Sequence, residues 1–391
     1  MIRHLHLIPL LLMLPTGAYA DQQEGSATEV VFAGLSITGA CFGKNATAPV
    51  LAGVLCDPEL ARLHNERLRN QIDSLAPRWI RLAPRGSQLK STGTTGQVFV
   101  TATVDRESTS VEKIGDKYKV VTEIAAQALF FDYDSEKVLG SVPVNIEYID
   151  VRRAAPDEAT QAQAFLVLLD SPDDHGLIPA LAEAIATARP SADGKRMMQL
   201  AEINYSEGAL VDYPTVERKI TAGVAGLEFS KYFSAGTGLA LLPFVFNGEK
   251  GAALDRAIAL TFANASKTLI IPKPDYAIRV NVDRAVQRTT SKDEVAEQRL
   301  YGVFFTVSVI EPEFEKSYFQ QPLKHGAFKT IPSTQTVVDD DAALYATMLE
   351  GFATFARATQ GKAADWVSEQ PNGRSSRGEW SVIRKMIEDC R

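Results

Sequence analysis

Phe99-Val-Thr-Ala-Thr-Val-Asp-Arg106 returns 178 residues later as Ala277-Ile-Arg-Val-Asn-Val-Asp-Arg284. Both copies run in the same alternating phase, the period-two pattern of a strand with one face buried. The surroundings recur as well. Leu68, Ile72 and Leu75 match Ile258, Phe262 and Ala265 at an offset of 190, and Trp79-Ile80 falls on Leu269-Ile270. Further on, Phe131-Asp132 and Glu136-Lys137 fall on Ile310-Glu311 and Glu315-Lys316 at an offset of 179. Recurrence over several elements predicts two related modules in tandem. The expected class is α+β, each module a mixed or antiparallel sheet with helices packed on one face.

Ahead of the modules stands an export signal. Arg3 opens a short positive region, Leu5 to Leu14 is almost wholly apolar, and Ala18-Tyr-Ala20 fits a small-x-small cleavage site before Asp21. The apolar run is too short to span a bilayer, which takes about 20 residues. No cysteine sits at the cleavage point, so no lipid attachment is expected. A cut after Ala20 leaves 371 residues, periplasmic or secreted, and loss of Arg3 takes the formal charge from -7 to -8. That acidity argues against nucleic acid as a partner.

The expected division is a signal peptide at 1–20, a first module at 21–195, an intervening segment at 196–235, a second module at 236–360, and a linker with an amphipathic tail helix at 361–391. In the second module, Leu239 to Phe246 reads as a first strand buried on both faces. A helix through Leu254, Ile258, Phe262 and Ala265 follows, then short and long strands, then a helix from Asp339 to Gln360. Three aspartates, Asp339 to Asp341, suit the start of that last helix. In the first module Val30 to Ile37 takes the first-strand place. If Leu35 matches Leu241 the shift there is 206, so the first module carries roughly 16 extra residues before its helix. Between the modules, Val216 to Leu227 favours a helix and Glu228 to Phe233 a strand, and the segment stays unassigned.

Cys41 and Cys56 both fall in that extra stretch and, in an exported protein, are expected to pair and staple it. Cys390 is left over, expected as a mobile thiol near the end of the chain.

The order of the second module resembles one periplasmic module: an apolar run ending in Pro243-Phe244, helix, short strand with Ile270-Ile-Pro272, long antiparallel strands and closing helix. It is similar to the amino-terminal domain of the Tol system propeller protein and to the curli secretion channel lipoprotein family. The resemblance covers about 120 residues of the second module and, more faintly, the first. It implies an envelope assembly, secretion or regulatory role without catalytic residues, and it carries no site residues across.

Motifs for chemistry are thin. His64, His175 and His325 sit in no metal-ligand spacing, and no G-x-S-x-G elbow occurs. Ser87-Gln-Leu-Lys90 matches S-x-x-K in a loop where a helix start is needed, and Gly39 to Asn45 is one residue short of a phosphate loop. Asp132-Tyr-Asp134-Ser-Glu136 lacks the glycine and distant glutamate of a calcium loop and reads as a hairpin tip. No catalytic residue, cofactor or metal is therefore expected.

Two surfaces are candidates for a partner. From Leu60 to Lys90 seven cations, Arg62, Arg69, Arg78 and Arg81 among them, face only Glu66 and Asp73, a patch for an envelope protein or an anionic envelope component. Trp380, Ile383 and Ile387 form the apolar face of the tail helix, for docking on its own core or on a partner. The leading expectation is a non-enzymatic envelope factor; the alternative is a small-ligand binder with its site between the modules, and self-association stays open.

Overall fold

The computed structural model describes residues 27–391 apart from 45, 86–96, 174, 191–194, 214–220, 245–255, 336–337 and 373–376. The signal-peptide reading and the Ser87–Lys90 motif fall outside the described residues.

The chain begins β1 (Thr28–Thr38), α1 (Pro49–Leu55), α2 (Pro58–Ser74), β2 (Ile80–Leu82), β3 (Val98–Ile114), β4 (Lys117–Asp132), β5 (Val138–Arg152), α3 (Glu158–Asp170) and α4 (Leu177–Thr187). It continues β6 (Met198–Tyr205), α5 (Glu207–Asp212), α6 (Ala222–Thr237), β7 (Ala257–Thr261), β8 (Ser266–Ile270), β9 (Tyr276–Lys292), β10 (Ala296–Glu311) and β11 (Lys316–Pro332). The last helices are α7 (Asp340–Thr359), α8 (Ala364–Ser368) and α9 (Arg377–Asp389). Local chemistry sets several of these starts. Asp57 accepts hydrogen bonds from the Glu59 and Leu60 amides with Pro58 in the first turn of α2, and Asp339 accepts from Ala342 at the head of α7.

Two mixed sheets result, as the α+β class requires. The first runs β5-β4-β3-β1-β7-β8 with β2 on β1, and the second runs β11-β10-β9-β6. Each joins a parallel pair, β1 with β3 or β6 with β9, to an antiparallel meander. They also break regular pairing at corresponding places. The ladder skips Ala33 in β1 and Ala201 in β6, Asp105 in β3 and Asp283 in β9, and Leu139 in β5 and Tyr318 in β11. Glu136 and Glu315, at the two hairpin tips, both take positive φ, 57° and 50°.

Helices α1 to α4 cover one face of the first sheet, where Leu35, Ile37, Val104, Ala126 and Phe130 pack with Leu68, Ile72, Leu181 and Ile185. The second sheet buries Val280, Val282, Phe305 and Val307 against Phe229 and Phe233 of α6 and Phe352 and Phe355 of α7. Gly236 allows the close approach of α6 to α7: a Cβ there would lie 2.6 Å from the Ala356 Cβ.

Several expectations are corrected. The strand parallel to β9 is Met198–Tyr205, not Leu239–Phe246; the segment left unassigned thus supplies β6, α5 and α6 to the second sheet. Leu239, Leu241 and Leu242 make only single bridges to Arg189, Ser141 and Gln199. The run is apolar because it threads between the sheets, and an apolar run reports burial rather than a strand. Glu228–Phe233 is helical, since Ala225, Phe229 and Phe233 line one face of α6 toward the core.

The helix expected through Ile258 and Phe262 is the β7–β8 hairpin, and β7 pairs with β1 of the first sheet. A spacing of four residues fits both a helix and every second strand position, and buried Ile258 and Leu260 show the strand phase. The roughly 16-residue insertion also disappears. Residues 39–57 separate β1 from α2 and 206–221 separate β6 from α6, and α1 has a counterpart in α5. Finally, the expected linker contains α8, whose Trp366 meets Trp380 edge-on, and Gln370 is buried.

Candidate functional site

The Val-Asp-Arg strand of the first sheet opens onto a cavity of about 650 Å³. It lies on the sheet face away from α1 to α4, lined by Ala125, Gln127, Ser141 and Pro143 from the meander. Val224 and Leu227 of α6 and Phe244 form the opposing side, and Ile258 of β7 continues the sheet wall.

Two local features shape it. Side chains of a regular strand alternate between faces, but a bulge places two consecutive ones on the same side. Because the ladder skips Asp105, both Asp105 and Arg106 line the cavity, while Glu107 turns to the helical face. There Glu107 accepts from the Val50 and Leu51 amides at 2.8 and 3.0 Å and holds the start of α1. The second feature is Gly226, where a Cβ would lie 2.2 Å from the Phe244 ring. Only glycine lets that ring lie against α6 and close the wall.

Asp105 marks the polar end. Its carboxylate accepts from the Thr38 hydroxyl and from Gln127 Nε2 at 3.0 and 2.9 Å. Arg106 instead reaches Glu123, at 3.3 Å. Burial pushes the Asp105 carboxyl up to about 6, against the hydrogen bonds from Thr38 and Gln127 and the attraction of Arg106, which lower it. A folded-state value above the ordinary 3.8 means that protonation favours folding. The contribution is complete below about pH 4 and lost as pH rises through 6. Asp105→Asn removes this dependence, so its stability should gain on the parent by about 1–2 kcal/mol from pH 4 to 7.5, discounted for partial exposure. Paired melting curves across that range check it; a gap constant with pH would refute it.

The matching aspartate has a different setting. Asp283 accepts from Thr306 at 2.7 Å and from Asn281, in a more polar recess of about 390 Å³ with Glu202, Arg279 and Gln320. Neither aspartate serves a turn or a strand end; both sit at bulges within long strands.

The arginine patch is largely tied up within the fold. Arg62 pairs with Glu66 at 2.9 Å, Arg67 donates to the Asp170 carbonyl at 2.7 Å, Arg69 to the Ala83 carbonyl, and Arg85 to Asn70 at 2.7 Å. Arg78 lies over the Trp79 ring together with Arg189, while Arg81 is exposed on β2. Lys90 lies outside the described residues.

Trp380, Ile383 and Ile387 are no more than 6% exposed and belong to the core of the second sheet, so the contact they make is with their own chain. Cys390 is buried beside them, its thiol pushed up to about 12 by burial, and is not a mobile tail group. Cys41 and Cys56 form a disulfide. Asp132 to Glu136 make the expected hairpin tip. Among the described residues no group of three or more His, Cys, Asp or Glu is placed to hold a metal. No helix among them is long and apolar enough to cross a membrane.

Sequence reasoning missed the cavity because its walls come from β1, β3, β4, β5, α6, β7 and residue 244, far apart along the chain. The one available signal was the repeated Asp-Arg pair, which breaks strand alternation in both copies.

No family model matches the chain, and no curated protein matches its sequence. Among solved structures it is similar to a Xanthomonas campestris protein of family DUF330, at 8% identity over 47% of this chain and 93% of that one, with a TM-score of 0.21. A putative neuraminyllactose-binding hemagglutinin homolog from Helicobacter pylori aligns at 11% identity over 49% and 96%, TM-score 0.23. A minor lipoprotein from Acinetobacter baumannii aligns at 10% over 44% and 95%, TM-score 0.18. Likenesses at these scores carry no argument about function.

Proposed function

We propose that this is an exported, non-enzymatic binding protein that holds a small ligand with an apolar body between its first sheet and α6. The cavity carries the reading: about 650 Å³ lies within the range of small-molecule sites, and its lining is mainly apolar with polar groups gathered at one end. Residues of both halves line it, where the sequence placed the alternative site. The Cys41–Cys56 disulfide supports an oxidising compartment outside the cytoplasm.

The neutral apolar fluorophore N-phenyl-1-naphthylamine tests the cavity. Its emission should rise saturably with the mature protein, and Leu227→Trp, which fills the cavity from α6, should remove the rise while leaving the melting transition in place. An equal rise in a folded Leu227→Trp protein would exclude the cavity as the site.

A second reading, an envelope protein docking on a sheet edge, is favoured by the end of β5. Tyr148, Ile149 and Val151 are 49%, 50% and 60% exposed there, on an edge strand of the first sheet. Crosslinking in the native envelope separates the two readings: a reproducible protein crosslinked at β5 supports docking.

A further inference from the structure

The polar end of the cavity is selective in kind. Asp105 offers carboxylate oxygens that accept three hydrogen bonds from the described residues, fewer than the roughly four lone-pair sites of a carboxylate. Gln127 commits its Nε2 to Asp105, which leaves its Oε1 as an acceptor beside the same cavity. Ser141 donates its hydroxyl to the Leu241 carbonyl, and Arg106 is engaged by Glu123. Around Asp105 and Gln127 the end thus offers acceptors, while Arg106 gives one terminal nitrogen to Glu123 on β4. Among the described residues of the lining, Asp105 and Arg106 are the titratable ones; those of β1, β5, β7 and α6 are uncharged.

We infer that the cleft takes an amphiphile with a primary ammonium head, the head hydrogen-bonded to Asp105 and Gln127 and the apolar body against Val224, Leu227, Phe244 and Ile258. This rests on the cleft reading above and goes further by naming the head group. An ammonium has three donors and no acceptor, so it complements this end. A carboxylate head would meet Asp105 with like charge, and a hydroxyl supplies a single donor without charge. The walls require the apolar body, because a polar chain lying along them would lose its hydrogen bonds to water.

The inference implies a pH dependence. Burial pushes Asp105 up to about 6 in the empty site, so at pH 5 it is mostly neutral and its charge no longer favours the cation. The ammonium itself stays charged at either pH, since alkyl amines of the lysine kind titrate near 10. The Arg106–Glu123 pair keeps its own balance on β3 and β4.

Calorimetry with the mature protein tests this, using decylammonium, decanol and decanoate below their aggregation concentrations. At pH 7.5 decylammonium should bind at least tenfold more tightly than decanol, and decanoate more weakly than either. At pH 5, or in Asp105→Asn at pH 7.5, the ammonium preference should shrink to within about threefold. Equal binding of decylammonium and decanol at pH 7.5, or a preference that survives both changes, would overturn the head-group assignment and leave the cleft reading standing. Failure of all three probes to bind would overturn both. If Asp105→Asn does not fold, the pH series on the unaltered protein decides.

Discussion

Removing α9 should unfold the second half of this protein. Trp380, Ile383, Met386, Ile387 and Cys390 are each 6% exposed or less, packed on the second sheet and α7. A fully buried large apolar side chain contributes about 1.5–3 kcal/mol, so this helix supplies an amount comparable with the whole stability of an ordinary domain, about 5–15 kcal/mol. The deletion would also uncover Phe319 and Phe355, whose rings lie 5.3 and 5.9 Å from the Trp380 ring. A chain ending before Arg377 should lose the cooperative melting transition of its second half, and Trp380→Ala alone should cost about 3–5 kcal/mol. A truncated chain that melts with the full-length protein would show that α9 rests on a core already complete without it.

Breaking the Cys41–Cys56 bond should have the next largest effect, on the first half. The bond spans 15 residues, from the turn after β1 to the end of α1, with Cα atoms 6.4 Å apart. Closing a loop of that size in the unfolded chain is worth about 3 kcal/mol in the chain-entropy account. Cys41→Ser with Cys56→Ser should therefore lower unfolding free energy by about that amount. Reductant should do the same to the unaltered protein and nothing further to the double variant. Denaturant titrations read both, and a protein indifferent to reductant would contradict the assignment.

The bond's location changes its meaning. It does not staple an insertion onto a shared core, because α1 corresponds to α5 and the two connections are of similar length. It ties the turn after β1 to the C-terminal end of a helix whose first amides are already held by Glu107.

The long strands were legible because period-two alternation is local: β3, β9 and β10 appear in the sequence, as do the aspartate-led start of α7 and the tail helix. Errors gathered where local signals are degenerate. Leu239 to Leu242 are apolar because the run crosses between two sheets, and Ile258 and Phe262 satisfy helix and strand equally. The partners of Arg67, Arg69 and Arg85 were not legible, because they are distant in sequence or lie in the backbone.

By itself, the sequence determined the α+β class, the disulfide partners and the exceptional Val-Asp-Arg strand. Each follows from spacing or alternation within one segment. Only the tertiary structure decided what that strand is for. A bulge at Asp105 and another at Asp283 bring two consecutive side chains to one face of each sheet, but among the described residues only the first sheet has α6 and Phe244 across from that face, with β7 of the same sheet beside them. The same strand motif therefore ends beside a mostly apolar cleft in one half and beside a more polar recess in the other. The difference lies in what packs across from them, which no reading of the repeated strand contains.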